Sequence, residues 1–221
     1  MKFKFIGNAG GIFTGSKGTK ILCDPWIIDG VFEDAWYHYP PLKTKLSDIQ
    51  DVDGIYVSHI HPDHYDERHF DFPKDIPLII LNEGPNFLKK NLINKGYSNF
   101  IEIKNDQTVQ FKEFKLTLYK PFTKHIFEKS LIGNLIDSAL VLENDDVTAI
   151  NFNDNQPDEN ACSFLKNKFK SIDLAMLNYN AAGPYPSCFD NLTTEEKITE
   201  NKRILKRNFD HLCKIIPILQ P

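Results

Sequence analysis

The amino-acid sequence predicts an α/β (α+β) fold, one domain made of two β-rich halves at about residues 1–106 and 107–221. Three observations carry this. Short apolar runs bounded by Gly, Pro, Asn and Asp recur along both halves, which is the pattern of strands joined by turns. Longer segments with apolar residues at helical spacing interrupt them at only a few places. The chain has 221 residues, 41% hydrophobic and 25% charged, a globular composition long enough to bury a core without disulfide staples.

Each element follows from its own residues. Lys2 to Ile6 alternates, and Ile12-Phe13, Gly15-Ser16-Lys17-Gly18 and Lys20 to Cys23 predict strand, turn and strand. Residues 24 to 46, with Trp26, Phe32, Trp36, Tyr37, Tyr39 and Pro40-Pro41, are too rich in rings and turn formers for a helix. They fit a substrate wall or a loop that covers the core. Gly54 to Ser58 predicts a buried strand, Asp66 to Phe72 a short helix and Pro77 to Leu81 a second buried strand. Pro85 to Lys95 places Phe87, Leu88, Leu92 and Ile93 at helical spacing, with Gly96 to end the helix, and Phe100 to Ile103 reads as a strand.

The second half opens with strands at Thr108 to Phe111, Phe114 to Tyr119, Ser138 to Leu142 and Val147 to Phe152. Pro157 to Phe169 predicts a helix and Ile172 to Leu177 a strand. Thr193-Thr194-Glu195-Glu196 supplies a cap and an acidic first turn for a helix to about Leu212, and Ile215 to Leu219 reads as a final strand.

Charge and cysteine usage exclude several functions. The formal net charge is −4 and no run of five basic residues exists, so nucleic acid is not favoured as a partner. No apolar stretch approaches the roughly 20 residues needed to cross a bilayer, and the N-terminus lacks a secretory signal. A cytoplasmic protein without a membrane partner is expected. Cys23, Cys162, Cys188 and Cys213 stand far apart and read as reduced, mostly buried residues. Residues 24 to 75 hold 12 acidic against 4 basic residues, so a cationic ligand is expected there.

The strongest chemical signal is Ser58-His59-Ile60-His61-Pro62-Asp63-His64, directly after an apolar strand. Histidines two apart on extended chain point to the same side, and Pro62 turns the backbone so that Asp63 and His64 face a second point nearby. Imidazole nitrogens and carboxylates are what zinc and similar divalent ions take as ligands.

His59, His61, Asp63 and His64 match H-x-H-x-D-H, and on that motif the sequence resembles the metallo-β-lactamase superfamily. The resemblance implies a four-layer αββα sandwich with its metal centre at one edge. It implies that His59 and His61 serve metal one together with a third histidine, for which His125 is the candidate. Asp63 and His64 would serve metal two, with Asp154, in Asn153-Asp154-Asn155, as the bridging aspartate. It further implies a last histidine after the final strand. The sequence reaches Gln220-Pro221 without one and His211 falls on the preceding helix, so the expectation is a weak second site, one completed by water or a partner chain, or a domain lacking its C-terminal end.

Asp24-Pro25-Trp26, Trp36, Pro40-Pro41, Ile55 to His59 and Tyr179 to Pro186 are similar to the metallo-β-lactamase-fold part of CMP-N-acetylneuraminate hydroxylase and its bacterial relatives. In that hydroxylase a Rieske domain accompanies the fold, whereas the Cys-x-His and Cys-x-x-His ligand pairs of such a centre are absent here.

These resemblances imply a metal-dependent hydrolase acting on a small-molecule substrate, anionic and carbohydrate-like or phosphorylated. One or two divalent ions would be the cofactor, zinc first, with manganese or iron as alternatives. Asp63 and Asp154 are the candidate catalytic residues, and Trp36, Tyr179 and Tyr185 the candidate substrate contacts. Two rivals stand beside this reading: an iron-dependent oxidoreductase, and a catalytically silent metal- or partner-binding protein. An oligomer is compatible with either.

Overall fold

Period-two alternation along the central strands sorts the apolar side chains into two populations, and this sorting builds the layers. The computed structural model describes residues 1–68, 70–122, 137–179 and 184–220. The first sheet contains β1 (Lys2–Gly7), β2 (Gly10–Thr14), β3 (Lys20–Cys23), β4 (Gly54–Tyr56), β5 (Leu78–Leu81) and β6 (Phe100–Ile103), in that order. Its first three strands pair antiparallel and the rest parallel. The second sheet, in the order β11-β10-β9-β8-β7, contains β7 (Thr108–Phe111), β8 (Phe114–Tyr119), β9 (Ala139–Asn144), β10 (Val147–Asn151) and β11 (Leu174–Met176).

Ile21, Cys23, Tyr56 and Ile79 of the first sheet meet Leu116, Leu118, Leu140, Leu142 and Ala149 of the second in one buried cluster. Their neighbours in sequence face outward. Leu22, Ile55, Val57, Leu78 and Ile80 pack with Leu88 and Leu92 of α2 (Phe87–Asn94). Ala139, Val141 and Ile150 pack with Cys162 and Leu165 of α3 (Glu159–Lys168) and with Ile215 and Leu219 of α4 (Thr194–Leu219). Each buried aliphatic side chain contributes about 1.5–3 kcal/mol of transfer free energy. The layers are therefore αββα, as the resemblance implied.

Local signals end the helices where expected. Asn86 and Asp158 accept the backbone N–H groups of Lys89 and Ala161 as N-caps, and Gly96, at φ 92°, leaves α2 in the left-handed region open to glycine. Thr193 and Glu196 form a reciprocal capping box for α4.

Some expectations are corrected. Ile215 to Leu219 is not a strand but the last turns of α4, which runs through Pro217 to Leu219 instead of stopping near Leu212. Proline removes one hydrogen bond near the helix end, while Ile215 and Leu219, four apart, both bury against the second sheet. Asp66 to Phe72 is not a helix among its described residues. It holds a turn in which Phe70 N–H donates to the Asp66 carbonyl. Of the four cysteines, only Cys23 and Cys162 are buried, and Cys188 and Cys213 are exposed. Within the aromatic stretch, α1 (Val31–Asp34) is a single turn whose Phe32, Glu33 and Asp34 have φ of 53° to 67°. No described helix is long and apolar enough to cross a membrane.

Candidate metal centre

The histidine motif leaves β4 and turns back on itself. His64 N–H and Tyr65 N–H both donate to the His61 carbonyl, at 2.9 and 2.8 Å, with Pro62 inside the turn. This folding brings His64 back against His59, with ring centroids 4.2 Å apart, while His61 lies edge-on to His59 at 4.4 Å. His59 Nε2 stands 2.7 Å from His61 Nδ1, so the two expected ligand atoms of metal one share a point in space.

From the second sheet, the turn after β10 delivers Asp154. Asn153, at φ 52°, adopts the left-handed conformation that asparagine tolerates, and its amide donates to the Ser138 carbonyl and the Tyr56 hydroxyl. Asn155 accepts the Phe122 N–H. The two asparagines anchor the turn, and Asp154 stands at its solvent-facing edge. Its Oδ2 lies 3.5 Å from His64 Nε2 and 4.0 Å from His59 Nε2, and Asn178 donates to its Oδ1 at 3.0 Å. Asp63 Oδ2 lies 3.5 Å from His64 Nε2.

His59, His64 and Asp154 each offer one ligand atom, all within 4.8 Å of one another. A cation held at about 2.0–2.2 Å by nitrogen and carboxylate oxygen needs a small contraction of this set. The donors fit a divalent ion in kind and in their nearness to one another. His59 and His64, expected at different metals, both stand beside the aspartate expected to bridge them. His125 and His69 lie outside the described residues.

Beneath the ligand atoms is a polar tier that sequence reasoning did not assign to the site. Ser58 Oγ is 2.9 Å from His59 Nδ1 and 3.2 Å from His64 Nδ1. Asp24 Oδ2 lies 3.2 Å from His64 Nδ1, its Oδ1 accepts the Ser58 N–H, and the residue is fully buried. Asp137 Oδ1 lies 3.3 Å from His59 Nδ1. Asp24 carried a faint signal, as the first residue of the Asp-Pro-Trp sequence after β3. Asp137 carried none, being one acidic residue before a strand.

Electrostatics divide the two buried imidazoles. Burial, reinforced by the nearby His64 charge, lowers the His59 pKa to about 3, so the His59 ring is neutral. Burial pulls His64 the same way, but Asp24 and hydrogen bonds to Asp154, Asp24 and Asp63 outweigh it and hold His64 well above the ordinary histidine value. His61 is lowered by burial and by His59. Asp154 lies below the carboxylate range: burial opposes this, and the hydrogen bond and charge of His64 prevail. Burial raises Asp137 well above it.

The candidate substrate contacts take three positions. Trp36 stacks on Phe32 at 4.4 Å, and Phe32 is the ring beside His61, at 6.3 Å. Trp36 is thus one ring behind the centre, and Phe32 is the nearer aromatic. Tyr179 is exposed and directly follows Asn178, the partner of Asp154. Tyr185 donates its hydroxyl to Glu200 of α4 and packs edge-on against Phe189. His38 stacks on Trp26 at 4.2 Å and pairs with Asp29, apart from the cluster.

Two stacked sheets between helices, with the histidine–aspartate cluster at the strand ends, give the chain the metallo-β-lactamase fold. The solved structures agree. A possible metal-dependent hydrolase from Veillonella parvula superposes with a TM-score of 0.67 at 18% identity, over 94% of this chain and 81% of that one. An isothiocyanate hydrolase from Delia radicum gut bacteria gives 0.63 at 20% identity, over 81% and 72%. CmlA, a diiron β-hydroxylase from Streptomyces venezuelae, gives 0.63 at 14% identity, over 99% and 43%.

No family model matches the chain. Among curated proteins, it is 30% identical over 200 residues to a protein named Rieske 2Fe-2S iron–sulfur protein from Mycolicibacterium smegmatis, covering 86% of this chain and 36% of that protein. It is 30% identical over 101 residues to the cytidine monophosphate-N-acetylneuraminic acid hydroxylase of Asterias rubens, covering 39% and 15%. The chain thus spans about a third or less of the length of these relatives.

Proposed function

We propose that this chain is a metal-dependent hydrolase of a small anionic substrate, carbohydrate-like or phosphorylated, with His59, His61, Asp63, His64 and Asp154 holding one or two divalent ions. The observation that carries the reading is the convergence of two neighbouring imidazoles and a carboxylate from the opposite sheet on one small volume. His125 is proposed as a further ligand from the sequence resemblance alone. Zinc is the first choice of metal, since nitrogen-rich sets suit it, with manganese as an alternative.

A divalent ion at such a site lowers the pKa of bound water from 15.7 to about 7 and polarises a scissile carbonyl or phosphoryl group. The chain's own residues supply the rest. His59 stays neutral and keeps a nitrogen lone pair available. Asp154, ionised and facing both imidazoles, and Asp63 beside His64 are the groups placed to orient a water and take its proton. Phe32, with Trp36 behind it, and Tyr179 would contact the substrate.

One observation favours a second reading. Asp63 and Asp154 stand beside the imidazoles, a mixed nitrogen and carboxylate set that also suits iron. Of the proteins similar to this chain, one is named a Rieske 2Fe-2S iron–sulfur protein and one a diiron β-hydroxylase, so an iron-dependent oxidoreductase supplied with electrons by a separate donor is the alternative.

Metal analysis by mass spectrometry, on protein purified without chelator, separates the readings. About two zinc or manganese per chain, with hydrolysis of sugar-phosphate or lactone substrates, supports the first. Redox-active iron supports the second, and absence of metal after reconstitution overturns both.

A further inference from the structure

Asp137 has no place in the ligand set above, yet its position is unusual. It is buried two residues before β9, and neither carboxylate oxygen has a hydrogen-bond partner among the described residues. A buried polar group without a partner is costly, and a charged one more so, so one kept at a site calls for an explanation. Its Oδ1 lies 3.3 Å from His59 Nδ1, on the side of the ring away from His61 and Asp154.

The backbone that carries Asp137 is held from both sheets. Tyr56, at the end of β4, donates its hydroxyl to the Ser138 carbonyl at 2.6 Å, and the Asn153 amide, beyond β10, donates to the same carbonyl at 3.3 Å. Ser138 Oγ in turn donates to the Ser58 carbonyl at 3.0 Å. Every tie is buried, and all of them converge on the residue after Asp137 and the residue before His59. They set the distance between these two side chains.

His64 shows the same arrangement in mirror form. Its Nδ1 faces Ser58 Oγ and Asp24 Oδ2, both at 3.2 Å, while its Nε2 faces Asp63 and Asp154. Each imidazole therefore has one carboxylate near Nδ1, and Ser58 Oγ lies near both Nδ1 atoms.

Resting on the metal-centre reading, we propose that Asp137 is the positioning residue of His59: it accepts the Nδ1–H, fixes the tautomer and leaves Nε2 as the ligand atom. Carboxylates in this role raise the basicity of the ligand and lock the ring, and removing one typically weakens metal binding by about 10–100-fold. Asp137 itself does not touch the metal.

The test is a zinc titration of the full-length apoprotein against a competing chelator, comparing wild type, Asp137→Asn and Tyr56→Phe. Asp137→Asn is expected to weaken zinc binding about 10–100-fold, at unchanged stoichiometry, without lowering the melting temperature of the apoprotein. Long-range proton–nitrogen NMR of the zinc-loaded wild type should place the His59 proton on Nδ1. Tyr56→Phe keeps the carboxylate and releases one tie, so a smaller, several-fold loss is expected, and this variant carries the test if Asp137→Asn fails to fold.

Equal zinc affinity in wild type and Asp137→Asn overturns the inference while leaving the metal centre intact. So does a variant that binds one zinc fewer at saturation, since Asp137 would then be a ligand. A fall in apoprotein melting temperature matching the loss of affinity would reduce the role to structure. No zinc uptake by the wild type sinks this inference together with the reading beneath it.

Discussion

The two sheets contribute to the centre in different ways. The first sheet delivers His59, His61, Asp63 and His64 from one seven-residue turn after β4, so that half of the cluster is preassembled by local geometry. The second sheet contributes single residues, Asp137 before β9 and Asp154 after β10, each meaningful only because the sheets stack. The first contribution is set by spacing along the chain and the second by packing across the sandwich. A site divided in this way reports on the sandwich: the histidines bring the donors, and the sheet-to-sheet contact brings the charge that completes them.

The sharpest way to break this comparison is to remove a donor from the local turn. His61→Ala is expected to abolish stoichiometric metal retention while the chain stays folded, because the three apolar clusters do not include His61. Metal analysis with circular dichroism checks both halves of the statement, and metal retained at wild-type stoichiometry contradicts it.

A change in the packing between the sheets should act on the other quantity. Leu140, fully buried on the inner face of β9, is expected on replacement by Ala to cost about 2–5 kcal/mol of stability in urea unfolding. If the site depends on the sandwich as argued, zinc affinity in the folded fraction of Leu140→Ala falls less than in Asp137→Asn. A larger fall would place the coupling in general packing and not in the carboxylate.

The smallest effect concerns protons. His59 titrates at about 3 when folded, against roughly 6.5 unfolded, so the unfolded apoprotein binds the extra proton between these values. The stability contributed by the neutral ring is complete above about pH 6.5 and is lost as pH falls toward about 3. His64, with its pKa raised, works in the opposite direction and loses its contribution as pH rises. In metal-free protein the stability difference between wild type and His59→Gln should therefore shrink between pH 6 and 4, at up to about 1.4 kcal/mol per pH unit. Urea midpoints across that range measure it, and a constant difference would show that His59 is not held neutral by burial.

Legibility from sequence followed the same division. The strands of both halves were readable because each carries its own apolar run, and the motif was readable because its donors are two, four and five residues apart. Asp154 was found only through resemblance, and its polar neighbours Asn153 and Asn155 could equally mark an ordinary turn. Ile215 to Leu219, with Pro217 inside, looks locally like a strand, yet it continues α4 and buries Ile215 and Leu219 with residues of the second sheet. Phe32 was one ring among several until the left-handed turn of α1 set it beside His61.

The sequence alone determined most of the element types, the two β-rich halves and the histidine motif, because these depend on periodicity and on neighbours a few residues away. Tertiary structure decided which carboxylates stand at which imidazole, that Asp24 and Asp137 lie beneath the donors, and how proton affinity divides between His59 and His64. Charge interactions depend on distance and burial in space, and residues 24, 58, 137 and 154 acquire both only when the two sheets close on one another.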